Sequence, residues 1–210
     1  MKITVIGAGN MGAAFVKQLS LAGHQVTVTA REIAKAESIA TAHPGVNAAS
    51  PALAADQAEV VIVATPYEEA VNALQSVGDL QDKVVIDITN PLTPNYMGLT
   101  IGHETSAAEE IAKVLPGVNL VKAFNTVFAQ VLAEGGDFGD GRKVTVFIAG
   151  DSDDGKDKAR AVAESMGFAT IDAGGLKNAR YLEPLAGLNI YLGYGAGLGT
   201  HIAPTWMQDA

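Results

Sequence analysis

The segment Val5-Ile6-Gly7-Ala8-Gly9-Asn10-Met11-Gly12 follows directly on the apolar run Lys2–Ile6 and opens a segment of helical period. Glycines at this spacing constrain the fold more than any compositional figure, because they force a strand to turn at once into a helix. Gly7 permits the tight turn, Gly9 lets backbone amides approach an anion, and Gly12 allows the helix to pack close to the strand, with its N-terminus facing the ligand. Such a loop also occurs as a plain turn. Its place between a first strand and a first helix is what makes it a dinucleotide-binding signature.

The rest of the chain repeats the same alternation. Residues 2–6, 25–29, 59–64, 83–88, 119–124, 143–149 and 168–173 read as strands, and their near-continuous apolarity predicts helices on both faces of the sheet. Met11, Ala14, Phe15, Leu19 and Ala22 fall on one helical stripe, as do Ala108, Ile111, Ala112 and Leu115. Ser106 and Glu109 have the spacing of a capping box. A further helix is predicted over 153–166, with Ala159, Val162, Ala163 and Met166 on its buried face and Gly167 closing it. Strand, helix, strand repetition implies right-handed crossovers and therefore an α/β fold with a doubly wound, mostly parallel sheet, the Rossmann NAD(P)-binding arrangement. The turn-rich segment 136–143 predicts an antiparallel or edge addition among the later strands. No linker or repeat interrupts the pattern. A single dinucleotide-binding domain over 1–210 is expected, its C-terminal segment from about 176 to 210 forming a short helical piece near the cleft.

Composition narrows the partners. The chain has 210 residues, 48% of them hydrophobic, which is enough for one good core, and a formal net charge of −9. No stretch collects enough Lys and Arg to neutralise many phosphates, so nucleic acid is not an expected partner. No apolar run approaches about 18 residues and the start lacks the features of a signal peptide, so a cytoplasmic protein without a membrane segment is expected.

Arg31 stands where a fold of this kind that prefers NAD carries Asp or Glu at the end of its second strand, to accept hydrogen bonds from the ribose hydroxyls. An arginine there can instead grip a 2′-phosphate with a forked contact. Lys35 is placed to share its helical face and Thr29 to add a hydroxyl, while Glu32 is expected to point away. The competing reading makes Arg31 and Lys35 a solvated helix start, although two cations in a first turn oppose the helix dipole unless an anion joins them.

Three more strand ends should line the cleft, since ligands of such sheets bind beyond the carboxyl ends of the strands. They offer Thr65, Pro66 and Tyr67; Thr89, Asn90 and Pro91; and Ala123, Phe124, Asn125 and Thr126. Hydrogen bonds to ribose and nicotinamide amide are the functional reading, with Pro66 and Tyr67 shaping the wall; ordinary turn chemistry is the plain one. The four histidines do not cluster and none has metal-ligand spacing, so no metal is expected, and His201 is the one that could approach the cleft. In the tail, Gly193, Gly195, Gly197 and Gly199 should sustain a helix poorly. Leu192, Tyr194 and Leu198 then need cover, which predicts a homodimer.

On these residues the chain resembles the family of deazaflavin (coenzyme F420)-dependent NADP oxidoreductases and their relatives, among them the NADP-binding domain of six-transmembrane metalloreductases. The likeness covers nearly the whole chain. It rests on residues 5–12, Arg31, "SAAEEIA" at 106–112, "KAFNT" at 122–126, "AGD" at 149–151 and "DAGGLKNARYLE" at 172–183. It implies NADP(H) as cofactor, contacts from Gly9, Asn10, Met11, Arg31, Thr65, Asn90, Ala123 and Asn125, and hydride exchange with a flavin or deazaflavin as a small-molecule acceptor. Phe124-Asn125-Thr126 is more similar to the metalloreductase branch than to the deazaflavin enzymes, where a histidine is expected near Asn125. Hydride transfer between two rings demands alignment more than acid or base, and no catalytic side chain is assigned. Two alternatives remain open: a 3-hydroxyacid or imine reductase of similar fold, whose hydroxyacid members place a lysine on the helix after the segment corresponding to "KAFNT", and a non-catalytic NADPH-binding sensor.

Overall fold

The computed structural model describes residues 1–206, so residues 207–210, the end of the predicted C-terminal segment, lie outside the described residues. Eight strands form one sheet: β1 (Lys2–Ile6), β2 (Gln25–Thr29), β3 (Asn47–Ala48), β4 (Val60–Val63), β5 (Val84–Asp87), β6 (Asn119–Lys122), β7 (Thr145–Gly150) and β8 (Ala169–Asp172). Their order is β3-β2-β1-β4-β5-β6-β7-β8, all neighbours parallel except the antiparallel pair β6 and β7. All seven predicted strands form. The one not foreseen, β3, is a two-residue edge too short to carry an alternation. The chain winds outward from β1 in one direction through β3 and in the other through β8. A crevice therefore opens where β1 and β4 part, beyond their carboxyl ends.

Period-two alternation sorts the strand side chains between two apolar layers. Ile3, Val5, Val60, Ile62, Val84 and Ile86 pack beneath α1 (Asn10–Leu21), α2 (Ile33–Ala42), α6 (Ala129–Glu134) and α7 (Asp153–Ser165). Ile6, Val61, Val63 and Val85 face the opposite way, toward α3 (Pro51–Ala54), α4 (Tyr67–Ser76) and α5 (Ala107–Val114). The predicted faces of α1 and α7 are the ones buried: Ala14, Phe15 and Leu19 in one, Ala159, Val162 and Ala163 in the other. Gly167 follows α7 with φ at +85°, as its closing role requires.

The tail departs from expectation. A 3₁₀ turn (Leu176–Asn178) leads into α8 (Ala179–Ile190), which runs on as a π turn through Tyr191–Gly195. Alternate glycines do not end the helix here, because two of them serve close packing. A Cβ on Gly193 would lie 2.8 Å from the Phe128 ring, and one on Gly195 2.8 Å from the Tyr191 ring. Gly197 and Gly199 then take positive φ and turn the chain away. Among the described residues no helix is long and apolar enough to cross a membrane.

Candidate functional site

The crevice holds two cavities, one on each side of the glycine turn. Gly7, Ala8 and Gly9 border a cavity of about 700 Å³, and Asn10 and Met11 border another of about 590 Å³. The turn itself is built by contacts that leave no room for side chains. Gly7 has φ at +125° and donates to the Thr29 carbonyl at 2.8 Å; a Cβ on it would stand 2.3 Å from the Ala64 oxygen. A Cβ on Gly12 would stand 2.0 Å from the Gly7 oxygen, so this residue fixes the helix against the turn and lines neither cavity. Around Gly9, by contrast, a Cβ would meet nothing within 4 Å. That open backbone at the head of α1 is the cradle an anion needs.

The larger cavity collects Thr29, Arg31, Lys35, Thr65 and Pro66, five of the residues singled out in the sequence. Arg31 is exposed and faces Glu69 across it, Nη1 to Oε2 at 3.6 Å. Lys35 does not join Arg31. Its ammonium bonds Glu32 at 2.9 Å, so Glu32 turns inward rather than away and lines the same cavity. The Lys35 ammonium, bonding and then attracting, and to a lesser degree Arg31 hold the Glu32 carboxyl below its usual range. The Thr29 hydroxyl is buried without a protein partner, and what this residue supplies is the carbonyl that anchors Gly7. Thr65 bonds the Pro66 carbonyl at 3.1 Å.

The smaller cavity takes the other strand ends. Asn90 donates to the Asn125 carbonyl at 2.8 Å, and the Asn125 amide donates to Asn90 Oδ1 at 3.0 Å and to the Leu182 carbonyl at 2.9 Å. With both amide hydrogens engaged, Asn125 Oδ1 is left without a partner. Phe124 turns the chain here at φ of +61°, an unusual conformation for a bulky residue, and packs edge-on between Phe15 and Phe168. The opposite wall comes from the tail, through Ala186, Asn189 and Ile190 on one face of α8 and Tyr194 in the π turn. Asn95, Tyr96 and Met97 border the cavity from the loop after β5. Among the described residues that line it, none is Asp, Glu, Lys, Arg or His.

Three of the residues singled out in the sequence line neither cavity. Ala123 is fully buried and lines neither cavity. Tyr67 packs into the apolar layer under α4 instead of forming a wall; burial, and then Glu110, Glu183 and Asp87, push its phenol upward. His201 pairs with Glu134 at 2.9 Å and stacks on Phe138, away from the cleft. The sequence reading also missed Glu69, Asn72 and Ser76, although their spacing on α4 marks one helical face.

Where α8 meets the ends of β5 and β6 lies a charged group that sequence reasoning passed over. Asp87 and Lys122 are cross-strand neighbours at the ends of β5 and β6, and Lys122 Nζ reaches Asp87 at 2.7 Å, Glu183 of α8 at 2.9 Å and the Thr89 carbonyl at 2.7 Å. All three side chains are buried. Burial alone would lower the Lys122 ammonium, but Asp87 and Glu183 outweigh it and hold it above its usual value. The available signal was a charge following directly on the apolar residues of each of two strands. α6 carries no lysine, so the residue expected of hydroxyacid enzymes is absent from it.

A family model for coenzyme F420-dependent NADP oxidoreductases matches residues 2–91. The F420-dependent NADP reductase of Methanothermobacter marburgensis is 34% identical over 91% of this chain and 92% of its own. A solved structure from Arthrobacter sp. FB24, provisionally described as an F420-dependent NADP reductase, superposes with a TM-score of 0.88 at 29% identity, covering 99% of this chain and 100% of that one. The rat metalloreductase STEAP3 is 29% identical over 88% of this chain, which spans 36% of that protein.

Proposed function

The chain belongs to the family of coenzyme F420-dependent NADP oxidoreductases, and on that premise we propose that it passes a hydride between NADPH and a flavin-type or deazaflavin-type ring. The observation that carries this reading is the contrast between the two cavities. One offers the open turn at Gly9 and two cations, Arg31 and Lys35; the other is walled by Phe124, Phe128, Tyr96 and Tyr194 and has no charged side chain among its described lining residues. NADPH, when bound, supplies the hydride.

The protein's part is to bind, orient and exclude water. Gly7, Gly9, Asn10 and Met11 hold the pyrophosphate region, with Gly12 supporting the turn; Arg31, and Lys35 once released from Glu32, hold the 2′-phosphate; and Thr65 and Pro66 flank the ribose. Asn90 and Asn125, fixed by their mutual bonds, set the edge beside which the rings meet. An uncharged aromatic cavity favours a planar ring over a small keto acid, whose carboxylate would lack a cation there. No acid or base is required, since aligning the two reacting carbons supplies the main part of the acceleration.

We propose further that the chain works as one cofactor-binding domain in the cytoplasm, and as a homodimer. Tyr181, Leu188, Tyr191, Tyr194 and Leu198 are exposed along α8 and the turns after it, an apolar surface that a second copy would cover. Sedimentation at high concentration should give a dimer; a monomer removes this part of the proposal.

Anaerobic mixing with NADPH and a panel of FMN, FAD, a deazaflavin, ferric chelates, keto acids and imines tests the reaction through loss of nicotinamide absorbance. Turnover with a ring acceptor is expected. Turnover with keto acids or imines alone would overturn the reading, and tight binding without turnover on any acceptor would point to a sensor.

A further inference from the structure

We infer that Glu69 competes with the 2′-phosphate of the cofactor for Arg31, and thereby sets how tightly and how selectively the phosphorylated cofactor is held. The inference rests on the proposed reading of the larger cavity as the adenosine end of the cofactor site. Arg31 follows β2 and Glu69 opens α4 after β4, so the two side chains approach from strands on either side of β1. Their atoms stand 3.6 Å apart and the side chains are 84% and 53% exposed. At that distance the contact is an attraction between charges and lacks the short forked geometry by which a carboxylate locks a guanidinium in place. Glu69 therefore occupies Arg31 without orienting it.

The rest of the cavity repeats this compensation. Arg31, Lys35, Glu32 and Glu69 all line it, two charges of each sign, and Lys35 is engaged by Glu32 at 2.9 Å. A pocket built solely for maximal grip on a phosphate would leave its cations unopposed. The helix dipole favours both first-turn acids of α4, Glu68 and Glu69, but only Glu69 lines the cavity and faces Arg31. A 2′-phosphate can take Arg31 only by drawing it from Glu69, and it then carries its own negative charge beside that carboxylate. A cofactor without the phosphate leaves the pair intact. The cost of Glu69 thus falls on NADP(H) alone, and it hastens release of a cofactor that must leave after every turnover.

Equilibrium titration of NADPH and NADH into the unmodified protein, Glu69→Gln, Arg31→Ala and the double variant tests this. Glu69→Gln should tighten NADPH about two- to five-fold, the range expected of one exposed ion pair. It should leave NADH unchanged, and its gain on NADPH should shrink in the Arg31→Ala background, where only the repulsion between carboxylate and phosphate remains. The inference is overturned if Glu69→Gln leaves NADPH unchanged or weakens it, if NADH tightens equally, or if the gain is undiminished without Arg31. Equal affinity of the unmodified protein for both cofactors overturns the reading of the cavity itself, and this inference with it. A preference for NADPH that Glu69→Gln fails to sharpen overturns the inference alone. Melting curves of the variants show whether each is folded.

Discussion

Lys122 is a lysine with no exposed surface, held between two carboxylates that are equally buried. Moving it out of water is costly, and the group persists because every donor on its ammonium has an oxygen to meet: Asp87, Glu183 and the Thr89 carbonyl. Lys122→Met would leave two buried acids facing each other without a cation. We expect a loss of about 3–5 kcal/mol in unfolding free energy, measured by urea titration. A loss below about 1 kcal/mol would mean that the trio is better hydrated than its burial implies. The sequence displayed Asp87 and Lys122 within two consecutive predicted strands, 83–88 and 119–124. That they meet Glu183 was invisible, because 61 positions separate Lys122 from Glu183 and only the docking of α8 closes that distance.

At the scale of the element, α5 and α8 complete one another. Ser106 accepts from the Glu109 amide at 3.2 Å, as the capping-box spacing predicts, and Glu183 accepts from the Ala107 and Ala108 amides at 2.8 and 3.2 Å. The Glu110 amide makes the first ordinary helix bond, to the Ser106 carbonyl at 3.0 Å, so each of the three helical amides before it meets a side-chain acceptor. Arg180 then clamps Glu109 with two bonds, at 2.8 and 2.7 Å. Ser106→Ala removes one acceptor and should cost about 0.5–2 kcal/mol, measured as a shift in urea midpoint without a change in slope. The cap was legible because its two residues are three apart. The second cap was not, because its acceptor belongs to another helix.

For the molecule as a whole, the shifted groups bound the pH range of stability. His24 is pushed down, first by burial and then by the neighbouring N-terminal ammonium, so the folded state resists its protonation. That contribution is complete above the ordinary histidine value of about 6.5 and is lost as pH falls through the lower folded value. Glu109, held down mainly by Arg180, and Asp172, held down mainly by Lys156, contribute above the ordinary carboxylate values of about 4 and lose their contribution at still lower pH. Lys122 is raised, so its contribution is complete below the ordinary lysine value of about 10.4 and is lost as pH climbs through the folded one. Unfolding free energy measured against pH should be level from about 7 to 10, decline in two acid stages and fall again in strong alkali. His24→Asn should remove the first acid stage; a first stage that survives this change would assign it elsewhere.

What the sequence determined by itself is whatever depends on near neighbours in the chain. Short, near-continuous apolar runs specify strands, the glycine spacing specifies the turn into α1, Ser106 specifies a helix start, and Arg31 at a strand end specifies a cation where an acid is usual. Tertiary structure alone decided what those pieces face. The cavity beside Asn125 exists because α8 and its π turn fold back over the ends of β5 and β6, and Arg31 meets Glu69 because β1 sets their two strands one place apart on either side. Such contacts join residues tens of positions apart, and no local propensity encodes them. They follow from burying both faces of one twisted sheet, which fixes where every loop beyond its edge must end.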